Sequence, residues 1–268
     1  MEPLAEYMVV CEKAVRVGGD AIQAWAGKCD VSKKGPADLV TQADLASQQA
    51  ISQTIWEVFP QHRIIGEEDA GLPVDAKSSL RRSEYRWIVD PLDGTTNFVH
   101  GLPHYAVSLA LERNGELLVA AVLDPIQNEF FTAAAGQGAR LNGRPIHASN
   151  VATLSDALGV VGFPPDVKQD SPDLLFFLRA IFRCQAIRRS GSTALNLAYL
   201  AAGRYDVFWN FSAKIWDVAA GILLLREAGG AICTPEGQEY HINQRPFLAA
   251  ANSALLGQLQ EIVSEALQ

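Results

Sequence analysis

Acidic residues stand at the ends of predicted structural elements in three distant parts of the chain. Glu67 and Glu68 follow one short apolar run, and Asp90 and Asp93 directly follow another. Asp217 lies in the first turn of a predicted helix. Carboxylate oxygens are the ligands that a hard cation such as Mg²⁺ prefers. The sequence therefore predicts a divalent-cation site if the fold brings these segments together.

The segment that begins at Asp90 also favours an anion site. Pro91 stiffens the chain between two aspartates, which lets both carboxylates and a backbone carbonyl converge on one or two ions. Gly94 follows at the point where the backbone must approach a ligand closely. Thr95 and the two residues after it offer N–H groups and hydroxyls at the start of a predicted helical turn, which favours a phosphate. Cation and phosphate sites are thus expected side by side.

Each of these residues also has a purely structural explanation. The Asp-Pro-Leu-Asp-Gly-Thr stretch could be a surface turn, since its residues are turn formers. Glu67 and Glu68 could be solvated, and Asp217 could complement a helix dipole. The remaining alternatives are helix caps, namely Asp44 in a capping box and Ser192 with Thr193 at an N-terminus. The functional interpretation is favoured because several acids at element ends occur beside one Gly-Thr turn.

Composition excludes several classes of protein. Of the 268 residues, 49% are hydrophobic and 19% are charged, which is typical of a globular protein with a sizeable core. The net charge of -8 argues against a surface for nucleic acid, which needs clustered Lys and Arg. We find neither a long apolar span nor a basic, signal-like N-terminus. We therefore expect a cytoplasmic protein with no membrane or nucleic-acid partner.

Cysteine and histidine form no recognisable metal pattern. The four cysteines are widely spaced with no C-x-x-C pair, so we interpret them as reduced thiols: Cys11, Cys29, Cys184 and Cys233. The five histidines are expected to have structural or surface roles.

Hydrophobic periodicity divides the chain into two halves of different character. The first half reads as helices over 4–25 and from Thr41 to about 58, a loop over 28–37, and strands over 63–65, 85–89, 105–111, 117–123, 130–134 and 139–141. We expect the strand at 85–89 to end where the acids begin. The second half alternates strands and helices: 157–161, 174–182, 185–188, 193–202, 206–209, 214–228, 231–233, 247–250 and 252–267.

Three stretches match the motifs of a known family in order and spacing. They are Gly-Glu-Glu at 66–68, Trp-Ile-Val-Asp-Pro-Leu-Asp-Gly-Thr-Thr-Asn-Phe at 87–98 and Trp-Asp-Val-Ala-Ala-Gly at 216–221, with residues 38–44 also fitting. On these residues the chain resembles the inositol monophosphatase family of metal-dependent, lithium-sensitive phosphatases. We therefore expect a layered αβαβα sandwich of the α+β / α/β class. It would comprise an antiparallel-sheet subdomain over 1–150 and a mixed-sheet subdomain over 151–268.

The resemblance implies a role for each matched position. Glu67, Asp90 and the Leu92 carbonyl would hold one Mg²⁺, while Asp90, Asp93 and Asp217 would hold a second, with two to three ions per site. Asp44 and Thr95, with Glu67, would orient or deprotonate the attacking water.

Further positions are implied to touch the substrate or to border the site. Backbone N–H groups of Gly94 and Thr95, next to Asp93 and Asp217, would bind phosphate. Gly191, Ser192, Thr193 and Asn210 would contact the substrate, and Lys33 and Lys34 would lie on a mobile loop. The family also implies a homodimer.

Asn210 departs from the family pattern. Many inositol phosphatases have a glutamate there, which accepts hydrogen bonds from polyol hydroxyls. The sequence indicates Mg²⁺-dependent hydrolysis of a small phosphomonoester, with inositol monophosphate as the first substrate and fructose 1,6-bisphosphate or histidinol phosphate as alternatives. A non-catalytic, cation-dependent partner-binding protein is the alternative of another class.

Overall fold

A computed structural model describes residues 3–28, 31–35, 38–69, 83–164 and 166–266. The described residues form seven α-helices: α1 Leu4–Trp25, α2 Gln42–Val58, α3 Thr95–Val99, α4 Pro172–Ala180, α5 Thr193–Ala201, α6 Ile215–Glu227 and α7 Ser253–Ala266. None of these helices has the length and apolar content needed to cross a membrane.

Fourteen strands complete the described structure. The first nine are β1 Val31–Gly35, β2 Asp38–Thr41, β3 Arg63–Gly66, β4 Tyr85–Asp93, β5 Ala106–Arg113, β6 Glu116–Asp124, β7 Glu129–Ala134, β8 Ala139–Leu141 and β9 Arg144–Ile146. The others are β10 Leu158–Gly162, β11 Ala186–Arg188, β12 Val207–Asn210, β13 Ala231–Cys233 and β14 Phe247–Ala250.

The loop predicted over residues 28–37 is partly wrong. Residues of β1 pair antiparallel with β2, with Val31 opposite Thr41. A two-stranded ribbon needs no buried face, so it leaves no alternation of apolar and polar residues in the sequence. The ribbon leads directly into α2, whose capping box is confirmed: the Thr41 hydroxyl accepts from the Ala43 N–H, and Asp44 accepts from the Thr41 N–H.

The larger sheet has seven strands in the order β3-β4-β5-β6-β7-β8-β9. Strand β3 runs parallel to β4 and all other neighbours are antiparallel, so the sheet is mixed at one edge rather than wholly antiparallel as predicted. The sequence of residues 113–116 predicts a hairpin turn between two strands, and the β5–β6 hairpin confirms this prediction. Its turn residues Asn114 and Gly115 have φ values of 52° and 92°, as a tight hairpin turn requires.

Both faces of the central strands are buried, which explains their continuous apolar runs. Along β5, Val107 and Leu109 pack in one hydrophobic core with α1 and α2. Ala106 and Ala110 point to the opposite face and belong to a second core with α5 and α6. Because side chains alternate across a sheet, residues at even and odd positions serve different layers.

The smaller sheet has the order β11-β10-β12-β14-β13 and mixes parallel and antiparallel pairs. Helices α5 and α6 lie between the two sheets, α1 and α2 cover the larger sheet, and α4 and α7 lie on the far side of the smaller one. The predicted αβαβα layering is therefore confirmed. The strands of the two sheets fall on either side of residue 150, but one core takes residues from both halves. The subdomain boundary at residues 150/151 stays a prediction.

The close packing of α5 against α6 generates a stability prediction. A Cβ at Gly221 of α6 would lie 2.4 Å from the Leu197 Cβ, whereas a Cβ at Gly257 of α7 would meet no atom within 4 Å. Alanine favours a helix by about 1 kcal/mol over glycine, but overpacking costs about 1–3 kcal/mol. Gly221→Ala should lower the free energy of unfolding, and the matched control Gly257→Ala should raise it by about 1 kcal/mol. Urea denaturation measures both, and equal effects would contradict the packing analysis.

Candidate active site

A bulge at the end of β4 places two aspartates on one face of the sheet. Asp90 lies opposite Ser108 and Asp93 lies opposite Ala106, so three steps along β4 match two steps along β5. In a regular strand, residues three apart point to opposite faces, but one extra residue restores them to the same face. The predicted strand end at Val89 is therefore wrong: β4 continues to Asp93, and Pro91 sits in the bulge, where its missing N–H costs no ladder bond.

Asp93 is tied to the start of α5. Its Oδ2 accepts hydrogen bonds from the Ser192 hydroxyl and from the Ala194 N–H, the latter at 2.7 Å. The Ser192 hydroxyl oxygen also accepts from the Leu195 N–H at 3.2 Å, so Ser192 is indeed an N-cap. Capping and contact with the acidic site are thus compatible. Burial raises the pKa of Asp93 to about 6, although these hydrogen bonds act in the opposite direction.

Four acids from three segments lie within electrostatic reach of one another. Burial raises the pKa of Asp90 well above its ordinary value, and the negative charges of Glu67, Asp93 and Asp217 raise it further. The pKa of Asp217 is raised by burial first and then by Asp93, against a 2.7 Å hydrogen bond from the Lys214 N–H. Glu67 begins a short 3-10 turn directly after β3. The acids that the sequence predicts to converge are therefore close enough to raise one another's pKa.

The donor set fits hard divalent cations. Carboxylates that are buried together need a compensating positive charge, and oxygen ligands suit Mg²⁺. Within the described ranges, no three His, Cys, Asp or Glu side chains already form a closed metal-binding group. The fit to Mg²⁺ therefore rests on the oxygen ligands that the four acids supply and on the electrostatic repulsion among them.

A second hydrogen-bonded group joins β4 to α2. The Thr95 hydroxyl lies 3.2 Å from Asp44 Oδ1 and 3.0 Å from the Leu92 carbonyl oxygen, and it can donate to one of them at a time. Asp44 is fully buried, and its other oxygen caps α2. The Leu92 N–H donates to Asp90 Oδ1 at 3.1 Å. Asp44 therefore caps α2 and also contacts Thr95 in the candidate site. The sequence left these two roles as alternatives.

A cavity of about 480 Å³ opens beside these residues, between the bulge and the start of α5. Gly94 and Gly191 line it, with φ values of 96° and 92° that favour glycine. A Cβ on Gly94 would lie only 3.3 Å from the Gly191 carbonyl oxygen. The two loops thus approach each other closely at Gly94, whereas the predicted close approach of its backbone to a ligand stays a prediction. Thr95, Ser192, Thr193 and Asn210 also line the cavity.

Asn97 is a positioning residue that the sequence did not single out. Its side-chain amide donates to the backbone carbonyls of His104 at 2.7 Å and Ser190 at 2.8 Å. It thereby holds the loop before Gly191 against the segment after α3. The only signal was its place at the end of the Thr-Thr-Asn motif, where it could equally have been a turn former.

Some predicted residues cannot be placed in the site. Lys33 and Lys34 belong to β1 by their backbone, but their side chains lie outside the description, as does all of Cys29. The exposed connection expected near residues 72–84 falls mostly in the undescribed range 70–82. Cys11, Cys184 and Cys233 are buried free thiols.

The motifs around the acids agree with comparisons with known proteins. The model of the inositol monophosphatase family matches residues 4–268. The chain belongs to the inositol monophosphatase family. A curated relative, the Nus factor SuhB of Pseudomonas aeruginosa, is 40% identical and covers 93% of this chain and 92% of its own length. The inositol-1-monophosphatase of Rhizobium meliloti is 45% identical over 77% of this chain and 76% of its own.

The fold of the inositol monophosphatase family is also matched by solved structures. The suhB protein of Bartonella henselae has a TM-score of 0.90 and 36% identity, covering 97% of this chain and 99% of its own. Membership in this family supports phosphatase activity. It leaves the substrate open.

The burial of Asp93 predicts a pH effect on the metal-free protein. A raised pKa means that folded Asp93 keeps its proton between about pH 4 and 6, where the unfolded chain has lost it. The contribution of this group to stability is therefore present at low pH and lost as pH rises to about 6, at a cost of about 3 kcal/mol. In EDTA, the stability of Asp93→Asn relative to wild type should increase over that range.

Urea denaturation at a series of pH values measures this difference. Asp170→Asn removes the same charge from an exposed position and serves as the control. A stability difference for Asp93→Asn that stays flat from pH 4 to 7 would show that burial does not raise the pKa of Asp93.

Proposed function

We propose that this protein hydrolyses a small phosphomonoester in a Mg²⁺-dependent reaction, with inositol monophosphate as the first substrate to test. The single observation that carries this proposal is the β4 bulge, which turns Asp90 and Asp93 toward Asp217 beside the Gly94 cavity. Negative charge next to a cavity repels phosphate unless cations intervene, which favours a metal-dependent enzyme.

The proposed ligands are the carboxylate and carbonyl oxygens already described. Glu67, Asp90 and the Leu92 carbonyl would hold one ion, and Asp90, Asp93 and Asp217 a second, with two to three ions in all. When bound, divalent cations lower the pKa of water and offset the charge of the phosphoryl group. The hydrogen bonds to Asp90 and Asp93 keep both carboxylates oriented for this role.

The residues on the α2 side are suited to handling a proton. Thr95 can donate its hydroxyl proton to Asp44 and accept a hydrogen bond from water through its lone pairs. This would orient water for attack on phosphorus, with Asp44 and Glu67 as the nearby bases. No nucleophilic side chain is required, so no covalent phosphoenzyme forms.

The cavity wall would bind the phosphate and the leaving group. Gly94 and Thr95 line the cavity, and phosphate oxygens would accept hydrogen bonds from their backbone N–H groups. Gly191, Ser192, Thr193 and Asn210 also line it and would contact the leaving group. A volume of about 480 Å³ suits a small phosphorylated polyol or sugar.

Phosphate release tests this proposal. Wild-type protein should release phosphate from a small phosphomonoester with Mg²⁺ and stop with EDTA. Asp93→Asn should reduce kcat by at least about 100-fold, because it removes a ligand that compensates transition-state charge. The exposed control Asp170→Asn should retain wild-type turnover. Near-normal turnover by Asp93→Asn would overturn the assignment of roles. Inositol monophosphate, fructose 1,6-bisphosphate and histidinol phosphate form the substrate panel.

A partner-binding role is the second candidate, because curated relatives carry the name Nus factor SuhB. The phosphate-release assay of the wild-type protein separates the two roles. If the protein acts only by binding, phosphate release is absent from wild type under all Mg²⁺ conditions.

A homodimer, a cytoplasmic location and inhibition by lithium belong to the same proposal. The outer face of α4 and the turn after it exposes Leu175, Leu178 and Phe182, the last at 88%. An apolar stripe of this kind is suited to an interface between copies. Light scattering that gives the monomer mass at all concentrations would rule out the dimer.

A further inference from the structure

The part of the cavity lining formed by Asn210 and Thr193 carries hydrogen-bond donors. Asn210 is buried in this wall, and its Oδ1 accepts from the backbone N–H groups of Ser212 and Ala213, both at 2.9 Å. Backbone N–H groups can only donate, so these two bonds fix the amide orientation. The Nδ2 of Asn210 consequently points toward Thr193, whose hydroxyl lies 3.4 Å away.

This orientation reverses the chemistry expected of a polyol pocket. A glutamate at position 210 would accept hydrogen bonds from hydroxyl groups. Asn210 instead has its acceptor occupied by its own loop and offers an N–H donor on the side of Gly162 and Thr193. The preferred neighbour of such a group is an acceptor, such as a carboxylate or phosphate oxygen.

Arg189 adds a permanent positive charge to the same wall. It lines the cavity together with Phe163, and its guanidinium carbon lies 5.5 Å from the centre of the Phe163 ring. Among the described residues, Arg189 forms no salt bridge with a carboxylate. The ring contacts the face of the guanidinium group, which leaves the N–H groups at its edge available for a planar or tetrahedral anion.

Among the described residues, the cavity lining includes the positively charged Arg189 and no acid. Asp93 does not line the cavity but accepts a hydrogen bond from the lining residue Ser192. A substrate with a second negative group would place the reacting phosphate at the acids and the second group at the arginine. A neutral polyol would offer only uncharged hydroxyl oxygens and would leave the positive charge of Arg189 without a counter-charge.

We propose that Arg189, with the Nδ2 of Asn210, binds a second anionic group on the leaving portion of the substrate, either a carboxylate or a phosphate. This inference rests on the proposed phosphatase function and deepens it. The preferred substrates would be phosphorylated acids or bisphosphates of small carbon chains, in preference to neutral polyol monophosphates.

Matched substrate pairs test this specificity. Glycerol 3-phosphate has a hydroxymethyl group where 3-phosphoglycerate has a carboxylate. Fructose 1,6-bisphosphate has a second phosphate that fructose 6-phosphate lacks. In at least one pair, wild type should prefer the charged member. Arg189→Gln should lower that ratio of kcat/KM about tenfold or more, mainly through KM, because a charge-assisted hydrogen bond is lost. Which pair responds distinguishes carboxylate from phosphate.

The neighbouring arginine supplies the matched control. Arg188 is exposed, donates to the Ile187 carbonyl and does not line the cavity, so Arg188→Gln should leave the ratio unchanged. Asn210→Glu should shift preference toward the neutral member of each pair. Hydrolysis with equal ratios in wild type and Arg189→Gln would overturn the anion site.

Isothermal titration calorimetry with the same pairs measures the ratio of Kd values, which does not depend on turnover. Absence of hydrolysis together with a Kd ratio that depends on Arg189 would contradict the proposed phosphatase function and support the anion site. Absence of both the hydrolysis and the binding preference would contradict both.

Discussion

The repulsion among buried carboxylates is the constraint on which the rest of this structure depends. Asp90 is 1% exposed and is surrounded by the charges of Glu67, Asp93 and Asp217, all of which raise its pKa. Such an arrangement costs free energy in a protein without a compensating charge. Its persistence in a well-packed sandwich is the strongest physical reason to expect cations there, since selection for stability alone would replace the acids.

The layered fold is what allows these charges to meet. The seven-stranded sheet supplies Glu67 and the two aspartates from the neighbouring parallel strands β3 and β4, while the helices between the sheets supply Ser192 and Asp217. Because of the bulge, Asp90 and Asp93 point to the same face of the sheet although they are three residues apart. The same helix start that receives Asp93 also forms the cavity wall with Gly191 and Thr193, so the proposed cation and substrate sites share their supports.

Much of this fold could be predicted from the sequence because its signals are local. The apolar period of α1, the Thr41–Asp44 box and the turn at Gly115 each depend on a few neighbouring residues, and each was found. The β1–β2 ribbon was missed because residues 28–37 carry charges, glycine and proline, which are typical of a loop.

The sequence predicted which acids form the candidate site but not how the backbone arranges them. Proline and glycine suggested that β4 ends at Val89, yet pairing with β5 carries it to Asp93. The role of Asn97 and the orientation of the Asn210 amide depend on backbone groups that are distant or outside any motif. Hydrogen bonds of this kind leave no periodic trace in the chain.

The most direct measurement is a crystal structure of the wild-type protein grown with Mn²⁺ in place of Mg²⁺, with anomalous diffraction recorded at a manganese-sensitive wavelength. We predict anomalous peaks within ligand distance of Asp90 and Asp93, bounded by Glu67 on one side and Asp217 on the other. Anomalous peaks confined to other parts of the surface, or no peak at Mn²⁺ concentrations that saturate any activity, would contradict the account.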